Sequence, residues 1–229
     1  MGEELEFYTM PISHYCVSVD RMLAFKAIPH RSIQVPYHDK RQLIDATGQD
    51  YVPALRDAGR TIPWQEIPEF LEQRRPEPSL YPGSQAAVAR TLQNWGHQVL
   101  EERVWRAVVT EVPPVLSDDH ERWVFEEMQT RARGPWHVLV ARREEFVQEM
   151  VEHLAMVDRM LTGRSWILGA PSVADFGIFG GLSPLLTTGG RIPDSMPDLQ
   201  GWTQRIQALG DGRGAPAQLP DVTAPNAPR

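Results

Sequence analysis

One cysteine, Cys16, is all the thiol in the 229 residues. A single thiol cannot close an internal disulfide, so a secreted disulfide framework is excluded. There is no excess of basic charge either. The formal net charge is −7 with acids and bases interspersed, which argues against a nucleic-acid partner, because phosphate neutralisation needs a basic face. No apolar run approaches the ~20 residues of a membrane helix. The first residues, Gly2, Glu3 and Glu4, have the wrong charge for a signal peptide. The seven histidines are scattered, without a His-x-x-x-His pair or a Cys/His cluster, so no metal site is expected. No internal repeat is visible. These absences lead us to expect a cytoplasmic protein without membrane or nucleic-acid partners.

What is present changes character part-way along the chain. Leu5 to Thr9 is a short β-type run. After Met10-Pro11-Ile12, Ser13 opens a helical pattern with Cys16, Val19, Leu23 and Ala27 on one face. Ser13 suits the N-cap, since its hydroxyl can accept a free first-turn N–H. Ile28-Pro29 ends that helix. Ser32 to Val35 alternates like a strand, and a polar helix near Lys40 to Thr47 ends at Gly48. Tyr51 to Leu55 reads as a strand containing Pro53, and Asp57 to Arg60 as a turn into a short strand at Thr61-Ile62. Trp64, Ile67, Phe70 and Leu71 then mark a helix with Pro63 in its first turn.

Arg74 to Gly83 carries three prolines and a glycine and reads as a linker. Beyond it only helical periodicity appears. Val88, Leu92, Trp95 and Val99 form one stripe; Val147, Met150, Leu154, Val157 and Leu161 form another. Such stripes more often face a core than a pocket. Further helices are expected near Asp118 to Ala132, Ser172 to Leu186 and Leu199 to Leu209. Ser172 and Asp175 have the spacing of a capping box, a structural role. Strands with helices, followed by helices alone, imply two packed units. The expected division is 1–76, a linker 77–83, a helical domain 84–210, and a Pro-, Ala- and Gly-rich tail 211–229 that reads as disordered.

Three segments together resemble one family. Ser13-His14-Tyr15-Cys16 at the mouth of the first helix is similar to the Ser-Pro-x-Cys or Cys-Pro-x-Cys motif of glutathione transferases and glutaredoxins. Val52-Pro53-Ala54-Leu55 is similar to their Val-Pro-x-Leu segment. Trp166 to Asp175, containing Leu168-Gly169-Ala170-Pro171-Ser172-Val173-Ala174-Asp175, resembles the Leu-Gly-x-x-Pro-Ser/Thr-x-Ala-Asp segment of the transferases' helical domain. The ordered set, spanning roughly residues 5–209, implies a thioredoxin-like N-terminal α/β domain followed by an all-helical domain.

The resemblance implies a glutathione-using enzyme acting on a small electrophilic substrate, with no metal and with a homodimer as the assembly. Ser13 matches the serine that stabilises the glutathione thiolate, although an N-cap alone also explains a serine there. Pro53 is implied to follow a cis bond, which lets the Val52 backbone pair with an extended peptide. Cys16 occupies the motif's second position, where a buried thiol packs as a small hydrophobe; a reactive thiol is the alternative. Ile12, His14 and residues of the long helix with Trp95, Arg103 and Trp105 are candidate walls of the substrate pocket.

Two departures stand out. His14 replaces the motif's usual proline; it can tune a thiolate or contact an acidic co-substrate, or simply start the helix in solvent. Pro63-Trp64 replaces the acidic-Ser pair that holds the γ-glutamyl end of glutathione in the family. Gln65 and Glu66 are nearby substitutes on a helix that points them elsewhere. Trp64 is either a stacking wall for a ligand or a filler between domains. Three functions therefore compete: a conjugating enzyme, a non-catalytic binding module or user of a different thiol, and a thiol-disulfide reductase working through Cys16.

Overall fold

The computed structural model describes residues 4–113, 116 and 119–209. The expected tail, 211–229, lies outside the described residues. Four strands, β1 (Leu5–Thr9), β2 (His30–Gln34), β3 (Ala54–Asp57) and β4 (Arg60–Pro63), form one sheet in the order β2-β1-β3-β4. β2 runs parallel to β1, with Phe7 opposite Ser32, while β3 and β4 are antiparallel to their neighbours. The parallel pair needs a crossover, which α1 (His14–Phe25) supplies.

Alternation along β1 sorts its side chains to two faces. Leu5 and Phe7 enter the main core with α1 and α3 (Ile67–Arg74). Tyr8 packs on the other face with Val35, Ala54 and Leu43 of α2 (Arg41–Thr47). The helix of Trp64 differs from expectation: Trp64–Glu66 is a 3-10 turn, Pro63 ends β4, and Pro68 takes the first turn of α3. The linker is tied down by Lys26, whose buried Nζ donates to the carbonyls of Arg75 at 2.6 Å and Pro78 at 2.7 Å and pairs with Glu72 at 2.8 Å.

The rest of the described chain is helical. α4 (Ala86–Trp95) continues through a π-helical turn, Gly96–Leu100, into α5 (Glu101–Val108). Then come α6 (Asp119–Arg133), α7 (Trp136–Ala141), α8 (Arg143–Leu161), α9 (Val173–Thr187) and α10 (Pro197–Ala208). α9 runs through the middle, every residue from Val173 to Leu185 being buried. Pro184 lacks the N–H that would meet the Gly180 carbonyl, and the Ser183 hydroxyl donates to that carbonyl instead, at 2.7 Å. The capping box forms as expected. The buried Asp175 carboxylate accepts from Ser172 N at 3.0 Å, Ile167 N at 2.9 Å and Trp202 Nε1 at 2.9 Å.

One stripe lies at the edge of the core rather than in it. The buried side of α4 and its π turn is Ala89, Gln93, Gly96, His97 and Leu100. Val88 and Val99 are exposed, with Leu92 and Trp95 half-buried. Close packing decides this. The backbone of α4 and its π turn comes against glycines of α9, with Gln93 at Gly177 and Gly96 at Gly181.

Candidate functional site

The sheet and helices bring the Ser13 turn to the mouth of a cleft of about 260 Å³ between the α/β elements and the helices. Ile12, Ser13 and His14 form one wall, with Val52 and Tyr51 beside them. Glu101, Trp105, Phe125, Gln129 and Arg133 form the other. Ser13 is the N-cap of α1, its Oγ accepting the Cys16 N–H at 3.4 Å. A hydroxyl that accepts keeps its own proton to donate, so the cap and a thiolate contact are compatible. The free N–H groups of the first turn add the positive end of the helix dipole at the same place.

The remaining expected residues divide. The Val52-Pro53 bond is cis, as the resemblance implied. Pro53 is buried, whereas Val52 lies on the cleft. Trp64 and Gln65 are not on the cleft wall. Trp64 packs on Tyr15 with ring centroids 4.4 Å apart and meets His97 edge-on at 6.2 Å, so it fills the junction between the α/β elements and the helices. Gln65 is exposed, and Glu66 faces Arg60 at 3.5 Å. Of the long-helix candidates only Trp105 reaches the cleft. Trp95 stacks with His153 on the outer face, and Arg103 pairs with Glu149 of α8 at 2.9 Å.

Cys16 is fully buried, its Sγ accepting from Met10 N at 3.4 Å. Burial pushes the thiol up to about 11, against the weaker opposing effect of hydrogen bonds. It lines a separate, mostly apolar cavity of about 190 Å³ on a different flank of α1, with Val17, Phe179 and Leu186. A thiol so placed stays protonated near neutral pH and does not face the cleft, which speaks against the reductase reading.

Sequence reasoning missed the polar floor of the cleft. Arg133 Nη2 donates to Glu101 Oε1 at 2.7 Å, Nη1 donates to Gln129 Oε1 at 2.6 Å, and Nε lies 3.2 Å from Glu102. The guanidinium also sits 5.5 Å from the Trp105 ring centroid. His14 Nδ1 is 3.6 Å from Glu101 Oε1. Burial raises the Glu101 carboxyl to about 7, with Arg133 acting in the other direction. Burial, aided by His97 and Arg133, holds His14 well below the usual imidazole range, and burial brings His97 down to about 4. His14 Nε2 and His97 Nδ1 are buried without a hydrogen-bond partner among the described residues. Ser13 is not bonded to His14, so no nucleophile–base pair of the hydrolase kind exists here.

A signal for Glu101 was present. Leu100, Val104 and Val108 recur on the core face of α5, and His97 and Glu101 ride beside that stripe at a spacing of four. Arg133 comes from a distant helix, and nothing local in the sequence points to it. Tyr37 and Lys40 also line the cleft, and Lys40 has no ion-pair partner among the described residues. Among those residues no group of three or more His, Cys, Asp or Glu could hold a metal, and no helix is long and apolar enough to cross a membrane.

Residues 7–79 match the family model of the glutathione S-transferase N-terminal domain. Those residues are a glutathione S-transferase N-terminal domain. Solved structures extend the likeness across both halves of the fold. A glutathione S-transferase from Rhodospirillum rubrum F11 is 21% identical with a TM-score of 0.69, over 89% of this chain and 88% of that one. FzlA from C. crescentus is 20% identical with a TM-score of 0.69, over 90% and 88%. Glutaredoxin 2 from Salmonella typhimurium, solved in complex with glutathione, is 17% identical with a TM-score of 0.68, over 91% and 97%. These likenesses establish the superfamily's fold for this chain. No curated protein matches its sequence.

Proposed function

We propose that the protein binds glutathione in the cleft at Ser13 and uses its thiolate on a small electrophile. The observation that carries this reading is the Ser13 turn: a hydroxyl with a proton free to donate, at a helix N-terminus, on the wall of a cleft beside Val52. A thiolate there gains a hydrogen bond and the helix dipole, both favouring the ionised nucleophile. Apolar side chains on the opposite wall, Trp105 and Phe125, suit a small organic partner, and Met128 and Tyr51 extend the apolar lip outward. The protein works as a cytoplasmic homodimer in this reading. The stripe with Val88 and Val99 exposed and Leu92 and Trp95 half-buried between them supplies an apolar face for a second copy.

A second reading has its own support. With Pro63-Trp64 in place of the acidic-Ser pair, and Trp64 committed to Tyr15 and His97, the γ-glutamyl end of glutathione lacks its usual partners. That favours weak glutathione binding, a different thiol, or a module that binds without turnover. Calorimetric titration with glutathione, followed by a conjugation assay with an aryl halide, separates the two. Binding with turnover supports the enzyme. Binding without turnover supports the module, and absence of both removes glutathione from the account.

A further inference from the structure

Among the described residues lining the cleft, Glu101 is the one carboxylate. Among the described residues its one full cation is Arg133 of α6, which is shared with Glu102 of the same helix as Glu101. The other titratable groups packed around it are His14 and Tyr15 of α1 and His97 of the π turn. Oε1 takes the Arg133 bond and faces His14. Oε2 accepts no hydrogen bond from the described residues, and Glu101 lines the cleft together with Ser13 and His14. The desolvation that brings this carboxyl to about 7 makes its acid and base forms comparably populated near neutral pH.

We propose that Glu101 holds the proton lost by the bound thiol and returns it to the product, so that the site is suited to electrophiles whose attack leaves an oxyanion: epoxides and α,β-unsaturated carbonyls. The inference rests on the glutathione reading above. The thiol S–H proton passes to the Glu101 carboxylate, leaving a thiolate held by the Ser13 hydroxyl. The thiolate attacks an epoxide carbon, and the C–S bond forms as the C–O bond breaks with its electron pair going to oxygen. The alkoxide takes the proton from Glu101, which restores the carboxylate. With an unsaturated carbonyl the electron pair moves onto the enolate, which takes the same proton. The sum is an addition with no net proton released. Displacement of a halide needs no such donor, because the halide leaves as a stable anion.

The test uses the full chain with glutathione and three electrophiles: an epoxide, an enone and a chlorodinitrobenzene. In Glu101→Gln the epoxide-to-halide and enone-to-halide rate ratios should fall by ~10²-fold, the lower end for loss of a general acid. Unchanged ratios overturn the proposal. Mixing glutathione with protein in a weakly buffered indicator dye gives a second readout. The wild type should retain the thiol proton that Glu101→Gln releases, and equal release from both overturns the proposal. Should the variant fail to fold, the wild type still decides. Its epoxide-to-halide ratio should decline as pH rises through about 7, and a flat profile overturns the proposal. Absence of glutathione binding and of conjugation with all three electrophiles overturns the underlying reading, and the inference with it.

Discussion

Gly96 and Gly177 meet backbone to backbone where the π turn after α4 crosses α9. A β-carbon on Gly96 would stand 2.6 Å from the Gly177 carbonyl carbon and 2.7 Å from its oxygen. Gly180, one turn further along α9, approaches α1 in the same manner, a β-carbon there reaching 2.6 Å from the His14 carbonyl oxygen. Backbone cannot yield as a flexible side chain can. Gly180→Ala should therefore destabilise by about 1–3 kcal/mol and displace the Ser13 turn. Urea melts give the first quantity, and glutathione titration of the folded variant gives the second. A variant as stable as the wild type would show that α1 moves freely on α9.

The buried imidazoles predict an acid-side loss of stability. His97 titrates at about 4 in the folded protein against an ordinary value of 6.5. A base so depressed contributes its stability above 6.5 and loses it as pH falls towards 4; at pH 5 the loss is on the order of 2 kcal/mol. Glu101 works oppositely. Raised to about 7, it favours folding most below 4.5, an advantage lost as pH rises through 7. His97→Phe keeps the ring against Tyr15 and removes the titration. Its stability at pH 5, relative to pH 7, should exceed that of the wild type by that amount in denaturant melts. Equal pH slopes in the two proteins would sink the idea.

Sequence and structure agree where the signal is local. The Ser13 cap, the Val52-Pro53 segment and the Ser172–Asp175 box are each set by residues within a few positions of one another, and each stands as expected. The stripe on α4 is the instructive failure. Hydrophobic periodicity finds an apolar face but not its partner. Here Gly177 and Gly181 of α9, meeting Gln93 of α4 and Gly96 of the π turn, select which face of α4 goes to the core. The cleft floor was hidden for a related reason. Glu101 and Arg133 lie on separate helices, and only the fold brings them to 2.7 Å.

That stripe carries a prediction about assembly. Val88 and Val99 are exposed on the same face as the half-buried Leu92 and Trp95. If this face joins two copies, light scattering should give twice the 25.9 kDa chain mass at micromolar concentration. Leu92→Glu/Trp95→Glu should return the chain mass, because two unpaired carboxylates would be desolvated in the contact. A wild type that stays at the chain mass throughout would refute the homodimer.

Lys26 should matter to the α/β half more than a lysine at a helix end usually does. Its ammonium is fully buried, and it holds the carbonyls of Arg75 and Pro78 together with the Glu72 carboxylate. Lys26→Met keeps the apolar stem but takes this donor from the two carbonyls and the cation from Glu72, which still accepts from Ser79 and Leu80. The expected loss is about 3 kcal/mol. Proteolysis should then become faster between 75 and 83, where the linker runs. A melt unchanged by the substitution would mean that water replaces the ammonium at no cost.

Ser13 is the residue on which the functional reading turns, and its two roles make separable predictions. As a cap it accepts one N–H, from Cys16, at the long distance of 3.4 Å. Ser13→Ala should therefore cost less than the ~1 kcal/mol of a well-formed cap. As the donor to a thiolate it should matter more to rate, lowering glutathione-dependent kcat by ~10²-fold, the scale for removing one donor from a developing or stored anion. Cys16→Ser is the control. That thiol is buried, is pushed up to about 11 and faces another cavity, so glutathione-dependent turnover should persist without it. Steady-state kinetics on both variants, with melts alongside, distinguish the roles. A rate unchanged in Ser13→Ala would leave Ser13 a cap alone and shift attention to His14. A rate abolished in Cys16→Ser, with the fold intact, would restore the thiol to the chemistry.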